Sequence, residues 1–160
     1  MDDRWVNAST MAVAGAGCGV VATAVMSTVM VGWQRLTGGG PLAPGVVTGR
    51  ALDTVGARPA RPGVRTAVPT VAHFAFGSVA GAGYGALTSA LPHRAPRLDR
   101  VPPVVRGALY GFGLWAVSHG VAIPRLGLLA PPPGDRPGRQ ARLITAHLLY
   151  GATLGVTVGV

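Results

Sequence analysis

Three of the four histidines, His73, His119 and His147, lie well inside long stretches that contain no charged residue, whereas His93 is the last residue of such a stretch. An imidazole can bind a divalent metal ion, relay protons or form hydrogen bonds, and in an apolar segment each polar nitrogen needs a partner. Three converging imidazoles would suit a metal ion with an open fourth position, or a proton relay. Hydrogen bonds that only fix the register of neighbouring helices are the alternative. The candidate hydroxyl partners are Ser118, Thr145 and Tyr150.

The charge-free stretches determine which elements must hold these histidines. They cover residues 11–34, 66–93, 107–124 and 143–160, so each is 18 to 28 residues long. A helix rises ~1.5 Å per residue, which gives spans of roughly 27 to 42 Å against a bilayer hydrocarbon core of ~30 Å. We therefore expect an all-α fold, an integral membrane four-helix bundle that forms one domain over residues 1–160.

The predicted transmembrane helices cover about 10–33, 69–91, 104–124 and 143–160. Pro69 is expected in the first turn of the second helix and Pro92 just after its end. The Pro/Gly/Arg-rich connection 36–66 has room for a short surface helix around residues 48–55. When each helix is centred on its charge-free stretch, the three histidines lie roughly 5 to 10 Å from the midplane, all in the same leaflet.

Composition agrees with a membrane location. The chain is 49% hydrophobic and 12% charged, and its formal net charge of +9 comes from arginines in the connections between apolar stretches. Arginines in such positions anchor to lipid headgroups, and we expect no nucleic-acid partner because no helix combines basic with base-contacting side chains. The arginine-rich, lysine-free composition is typical of a high-GC bacterium, which predicts the bacterial inner membrane. We interpret the first stretch as a retained helix, not a cleaved signal peptide.

The arginines also predict an orientation. Nine lie in the connections after the first and third helices, and five lie on the other side. The positive-inside rule then places both long connections in the cytoplasm and both termini outside.

Glycines four residues apart form two similar ladders. The second and fourth predicted helices share the pattern A-H-x-x-[FY]-G-x-x-x-G-x-x-x-G, which begins at Ala72 and at Ala146. Its glycines are Gly77, Gly81 and Gly85 in the first copy and Gly151, Gly155 and Gly159 in the second. Such ladders let helix backbones approach closely in lipid, so they predict tight packing, and they also allow a homo-oligomer. Because the two helices run in the same direction, the pattern indicates a parallel two-helix repeat.

Two groups of residues carry a resemblance to a known family. The first group is Gly107-Ala108-Leu109, His119, Pro124, Gly127-Leu128, Pro131-Pro132 and His147. The second group is His73, Phe76 and Gly83-Tyr84. Together these residues, which span 69–160, resemble the YagU-like bacterial inner-membrane proteins, and the first helix matches only loosely. Members commonly have an acidic residue four positions before the last histidine, where this chain has Leu143. The resemblance implies an integral inner-membrane protein and supplies no activity.

The sequence predicts no enzyme. It contains no cysteine cluster, no paired carboxylates within an apolar stretch and no HExxH motif. We expect a noncatalytic structural or interaction protein without a cofactor, with the lipid bilayer as its surroundings and with protein partners that the sequence does not identify. The alternative is a small transporter, or a proton or metal conduit, that uses the histidine layer.

Overall fold

A computed structural model describes residues 3–38, 40–57, 61–94, 100–129 and 137–159, with side chains for 7–38, 40–57, 61–90, 100–129 and 138–159. This part of the chain is helical and contains no strand, which confirms the all-α prediction. The helices are α1 (Asp3–Thr37), α2 (Ala43–Thr54), α3 (Pro62–Arg94), α4 (Pro103–Val117), α5 (Ile123–Arg125) and α6 (Pro137–Val158). A π-helical turn, Ser118–Ala122, joins α4 to α5.

The long helices extend beyond the charge-free stretches. Helix α3 begins seven residues before Pro69 and continues through Pro92 to Arg94, so neither proline marks its boundary as predicted. An interior proline removes one backbone hydrogen bond at a cost of about 3 kcal/mol, and a long helix that packs along its length can offset this loss. His93 belongs to α3 by its backbone, and its side chain lies outside the described ones.

Two helical segments among the described residues are long and apolar enough to cross a membrane. They are Asn7–Thr37, with a mean hydropathy of 1.7, and Gly138–Val158, with a mean hydropathy of 1.2. The sequence predicts four such segments. Helix α4 alone has 15 residues because the π-helical turn interrupts it, and the membrane-spanning character of α3 and of the α4–α5 path stays a prediction.

Glycine seams hold the long helices together in pairs. Helix α1 packs antiparallel on α3, where Gly15 and Gly19 face Gly81 and its neighbours. A Cβ atom on Gly81 would collide with the backbone oxygen of Gly15 and would lie 2.7 Å from Gly19 Cα. Since both sides of the seam are backbone, only glycine allows this approach.

Helix α4 packs on α6 in the same manner. A Cβ on Gly107 would lie 2.8 Å from Gly155 Cα, and a Cβ on Gly111 would lie 3.0 Å from Gly151 N. At the end of this seam, a Cβ on Gly159 would lie 3.0 Å from the ring of Pro103. All six glycines of the two predicted ladders therefore face a residue of a neighbouring helix. In the first ladder, Gly77 also faces Thr23 and Gly85 faces Met11.

Tyrosines join one helix pair to the other. The hydroxyl of Tyr150 on α6 donates to the backbone oxygen of Gly77 on α3 at 2.5 Å. Tyr110 on α4 donates to the backbone oxygen of Ala80 at 2.7 Å, and its ring lies 5.0 Å from that of Tyr84. The core at this junction is small and includes Ala22, Met26, Ala146 and Leu154.

Candidate functional site

A cavity opens where the glycine seams end. The α1–α3 seam stops at the level of Thr23 and Gly77, and the α4–α6 seam stops at Gly111 and His147. Beyond these levels the facing side chains are larger, including Met26 and Met30 on α1 and Leu114 on α4, so the helices cannot approach as closely. The space between them measures about 340 Å³.

All three histidines singled out in the sequence line this one cavity. His73 comes from α3, His119 from the π-helical turn and His147 from α6, so three separate elements bring the imidazoles together. The rings of His119 and His147 are 5.1 Å apart between centroids and meet edge to face at 78°. The rest of the wall is mostly apolar.

Backbone and hydroxyl groups orient the two paired rings. His147, which is 5% exposed, has its Nδ1 2.8 Å from the backbone oxygen of Leu143. A carbonyl only accepts hydrogen bonds, so this Nδ1 carries the proton and Nε2 of the neutral ring is an acceptor. His119 Nδ1 lies 3.0 Å from the hydroxyl oxygen of Ser118, and that hydroxyl lies 2.6 Å from the backbone oxygen of Leu114. With the serine proton donated to the carbonyl, the serine oxygen accepts from His119 Nδ1.

The π-helical turn places His119 on the cavity wall. Pro124 follows this turn, has no N–H for the backbone oxygen of Gly120 and would crowd that oxygen in a regular helix. A widened turn just before a proline relieves such crowding, and turns of this kind are frequent at functional sites. Nothing in the histidine spacing indicates this turn, and Pro124 is the only sequence signal for it.

Three of the hydroxyl groups that line the cavity already donate to backbone oxygens. Thr23 donates to the backbone oxygen of Gly19 at 2.7 Å, and Tyr150 and Ser118 donate to Gly77 and Leu114 as described above. Of the predicted hydroxyl partners, Ser118 contacts a histidine in the described part of the chain, whereas Tyr150 bonds the backbone of Gly77, and no contact of Thr145 with a histidine is seen among the described residues. The remaining hydroxyl at the cavity, that of Thr48, is on α2.

His73 has a different environment from the other two histidines. Its Nε2 is buried and has no hydrogen-bond partner among the described residues, while its ring meets that of Phe74 edge to face at 6.2 Å. In the described part of the chain, no three His, Cys, Asp or Glu side chains are placed to hold a metal ion together. The three imidazoles therefore share a cavity without forming a metal-binding cluster.

Helix α2 covers the cavity and is the element that sequence reasoning underestimated. It begins at Ala43, five residues before the short surface helix that the sequence suggested, and its residues Ala43, Pro44, Val47 and Thr48 line the cavity. Pro44 near its first turn is a typical helix-start signal that could have indicated this boundary. Arg50 Nη1 donates to the backbone oxygen of Leu128 at 2.7 Å, which ties α2 to the segment after α5.

Comparisons of the whole chain with protein-family models, with curated proteins and with solved structures find no match. The resemblance to the YagU-like proteins therefore stays a prediction.

Proposed function

We propose that this chain is a noncatalytic, multi-pass four-helix bundle of the bacterial inner membrane, with a structural or interaction role. One observation carries the membrane part of the proposal. Large apolar side chains point outward, such as Val13, Val71 and Val79 at 75%, 67% and 72% exposure, while glycines fill the interior seams. A water-soluble bundle has the opposite arrangement, because its stability comes from burying large apolar side chains.

Lipid as the solvent accounts for both features of this arrangement. Outward-facing valines and leucines are compatible with acyl chains, and small residues at helix contacts are typical where no hydrophobic force drives helices together. The two segments that are long and apolar enough to cross a membrane support the same proposal. In the orientation with both termini outside, the histidine-lined cavity and its cover α2 lie at the cytoplasmic end.

The hydrogen bonds that the cavity hydroxyl groups donate to backbone oxygens support a noncatalytic role. Thr23, Ser118 and Tyr150 each donate to a backbone oxygen, so none is presented to a histidine base as an attacking nucleophile. What the cavity offers is apolar surface together with imidazole nitrogens, which suits binding better than bond cleavage.

A second candidate, a proton conduit, is favoured by the three histidines that line one cavity. A conduit needs a continuous chain of exchangeable groups across the bilayer. The three histidines lie at one end of the bundle. Toward the other end the helices of each pair meet along glycine seams in backbone contact, and no histidine lines that part of the described structure, which is why we place the conduit second.

Reconstitution into proteoliposomes with an internal pH dye tests both candidates. We expect the protein to remain in the vesicle pellet after alkaline carbonate, and an imposed pH gradient to decay as slowly as in protein-free vesicles. Release into the carbonate supernatant would overturn the membrane bundle. Rapid decay that disappears in the triple variant His73→Asn, His119→Asn, His147→Asn, but persists in the outer-face control Phe112→Leu, would establish the conduit instead.

A further inference from the structure

The polar groups of the cavity define what kind of ligand it can accept. The hydroxyl protons of Thr23, Ser118 and Tyr150 are donated to helix backbone oxygens, so these groups do not offer a donor to a ligand. His147 points its protonated Nδ1 at Leu143, which leaves the Nε2 lone pair as its remaining polar function. These groups therefore favour a ligand that donates a hydrogen bond, and the hydroxyl oxygen of Thr48, which also lines the cavity, can accept from such a ligand as well.

One imidazole nitrogen at this cavity is buried without a partner in the described part of the chain, and a second imidazole is buried beside it. The Nε2 of His73 is buried without a hydrogen-bond partner among the described residues. Leaving a buried polar group unsatisfied costs about 1 to 3 kcal/mol, and native proteins rarely tolerate it without a bound water, ion or ligand. His147 is itself almost completely buried and faces the same cavity.

The size and the walls of the cavity narrow the ligand further. An apolar cavity of about 150 Å³ holds one benzene molecule, so a volume of about 340 Å³ suits roughly two fused rings. Phe76 and the imidazoles supply ring faces, and Met26 and Met30 supply flexible thioethers that adapt to an aromatic ligand.

We propose that the cavity binds a small lipophilic phenol of one or two rings, whose hydroxyl group donates a hydrogen bond to Nε2 of His147. The rings occupy the apolar space beneath α2 between α1, α3 and the π-helical turn. This proposal specifies the class of ligand that the cavity binds. It rests on the proposed function only because the bundle must fold for the cavity to exist.

Two probes of nearly equal shape test the hydrogen bond. The full chain, purified in detergent micelles, is titrated with 2-naphthol and with 2-methoxynaphthalene, which lacks the donor. Protein-free micelles correct for partitioning. We expect 2-naphthol to bind about tenfold more tightly, since a hydrogen bond to a buried acceptor is worth about one factor of ten in Kd. In protein labelled with 15N-histidine, the Nε2 resonance of one imidazole should shift as the site fills.

Three variants separate this proposal from nonspecific partitioning. His147→Phe keeps a ring of similar size and should bring 2-naphthol down to the affinity of 2-methoxynaphthalene. Ala122→Phe fills the cavity and should abolish binding of both probes, whereas Phe112→Leu on the outer face should leave both unchanged. Far-UV circular dichroism and thermal unfolding establish that each variant is folded.

Two results would overturn the proposal. One is equal affinity of the two probes for the wild-type chain. The other is a tenfold preference that survives in folded His147→Phe protein. Neither result affects the carbonate extraction, so failure of the ligand assignment can be told apart from failure of the membrane bundle.

Discussion

Replacing Gly81 by alanine tests whether backbone contact between α1 and α3 determines the stability of this fold. The added Cβ would collide with the backbone oxygen of Gly15 and lie 2.7 Å from Gly19 Cα, whereas ordinary carbon contacts begin at 3.4 Å. To relieve the contact with Gly19 Cα alone, the two helices would have to move apart by 0.7 Å, the difference between 2.7 Å and 3.4 Å. Both obstacles are backbone, so no side-chain rotation relieves the overlap.

The cost follows from how steeply packing energy falls with distance. A gap of about 0.5 to 1 Å removes a quarter to a half of the dispersion energy of the atoms involved, and overpacking of this kind costs about 3 kcal/mol. Alanine recovers about 1 kcal/mol of intrinsic helix propensity relative to glycine. We therefore expect Gly81→Ala to lower the free energy of unfolding by about 2 kcal/mol.

Gly17→Ala is the matched control, because Gly17 is on α1 close to the seam residues and a Cβ there would meet nothing within 4 Å. It should be neutral or stabilising by up to about 1 kcal/mol. The two variants then differ by about 3 kcal/mol, roughly a hundredfold in the unfolding equilibrium. Far-UV circular dichroism during a titration from mild detergent into dodecyl sulfate measures this difference. Equal stability of the two alanine variants would refute backbone contact at the seam.

Three further predictions concern the cross-links and the orientation. Tyr150→Phe should lower the free energy of unfolding by about 1 kcal/mol in the same titration, since it removes the hydrogen bond to Gly77, and an unchanged midpoint would contradict this. Arg50→Ala should speed amide hydrogen exchange in α2 while leaving α6 unchanged, because α2 loses its link to the segment after α5; exchange that is unaltered in α2 would show that the link is dispensable. Ala57→Cys in a Cys18→Ser background should resist a membrane-impermeant maleimide in intact cells, and rapid labelling would reverse the proposed orientation.

The glycine seams could be predicted from the sequence because their cause is local. Residues four apart lie on one side of a helix whatever surrounds it, so the spacing of Gly77, Gly81 and Gly85 predicts a face for close packing. The sequence also predicts in part that the histidines share one cavity, since the depth of a residue along its helix follows from its residue number. Which helix each ladder contacts, α1 for one and α4 for the other, depends on the whole fold and was not specified by the pattern.

The cavity and its cover depend on tertiary structure, which a single sequence reveals poorly. Helix α2 has one typical start signal, Pro44, but glycines within and beside it argue against a helix until its contacts with α3 are known. The π-helical turn that carries His119 differs from a regular helix by one residue in its hydrogen bonding, which leaves no periodic trace in the sequence. The only clue is Pro124, and a proline in that position more commonly ends a helix.

One difference between the two copies of the repeated pattern lies at the wall of the cavity. The position before the first glycine is Tyr150 in the second copy and Phe76 in the first. Both residues line the cavity, but Tyr150 is 2% exposed and its hydroxyl bonds α6 to α3, whereas Phe76 has no hydroxyl and is 50% exposed. A tyrosine at position 76 would extend the ring by a hydroxyl group at the cavity wall. The substitution Phe76→Tyr should therefore narrow the cavity and weaken binding of 2-naphthol, and unchanged binding would show that this position does not control the opening.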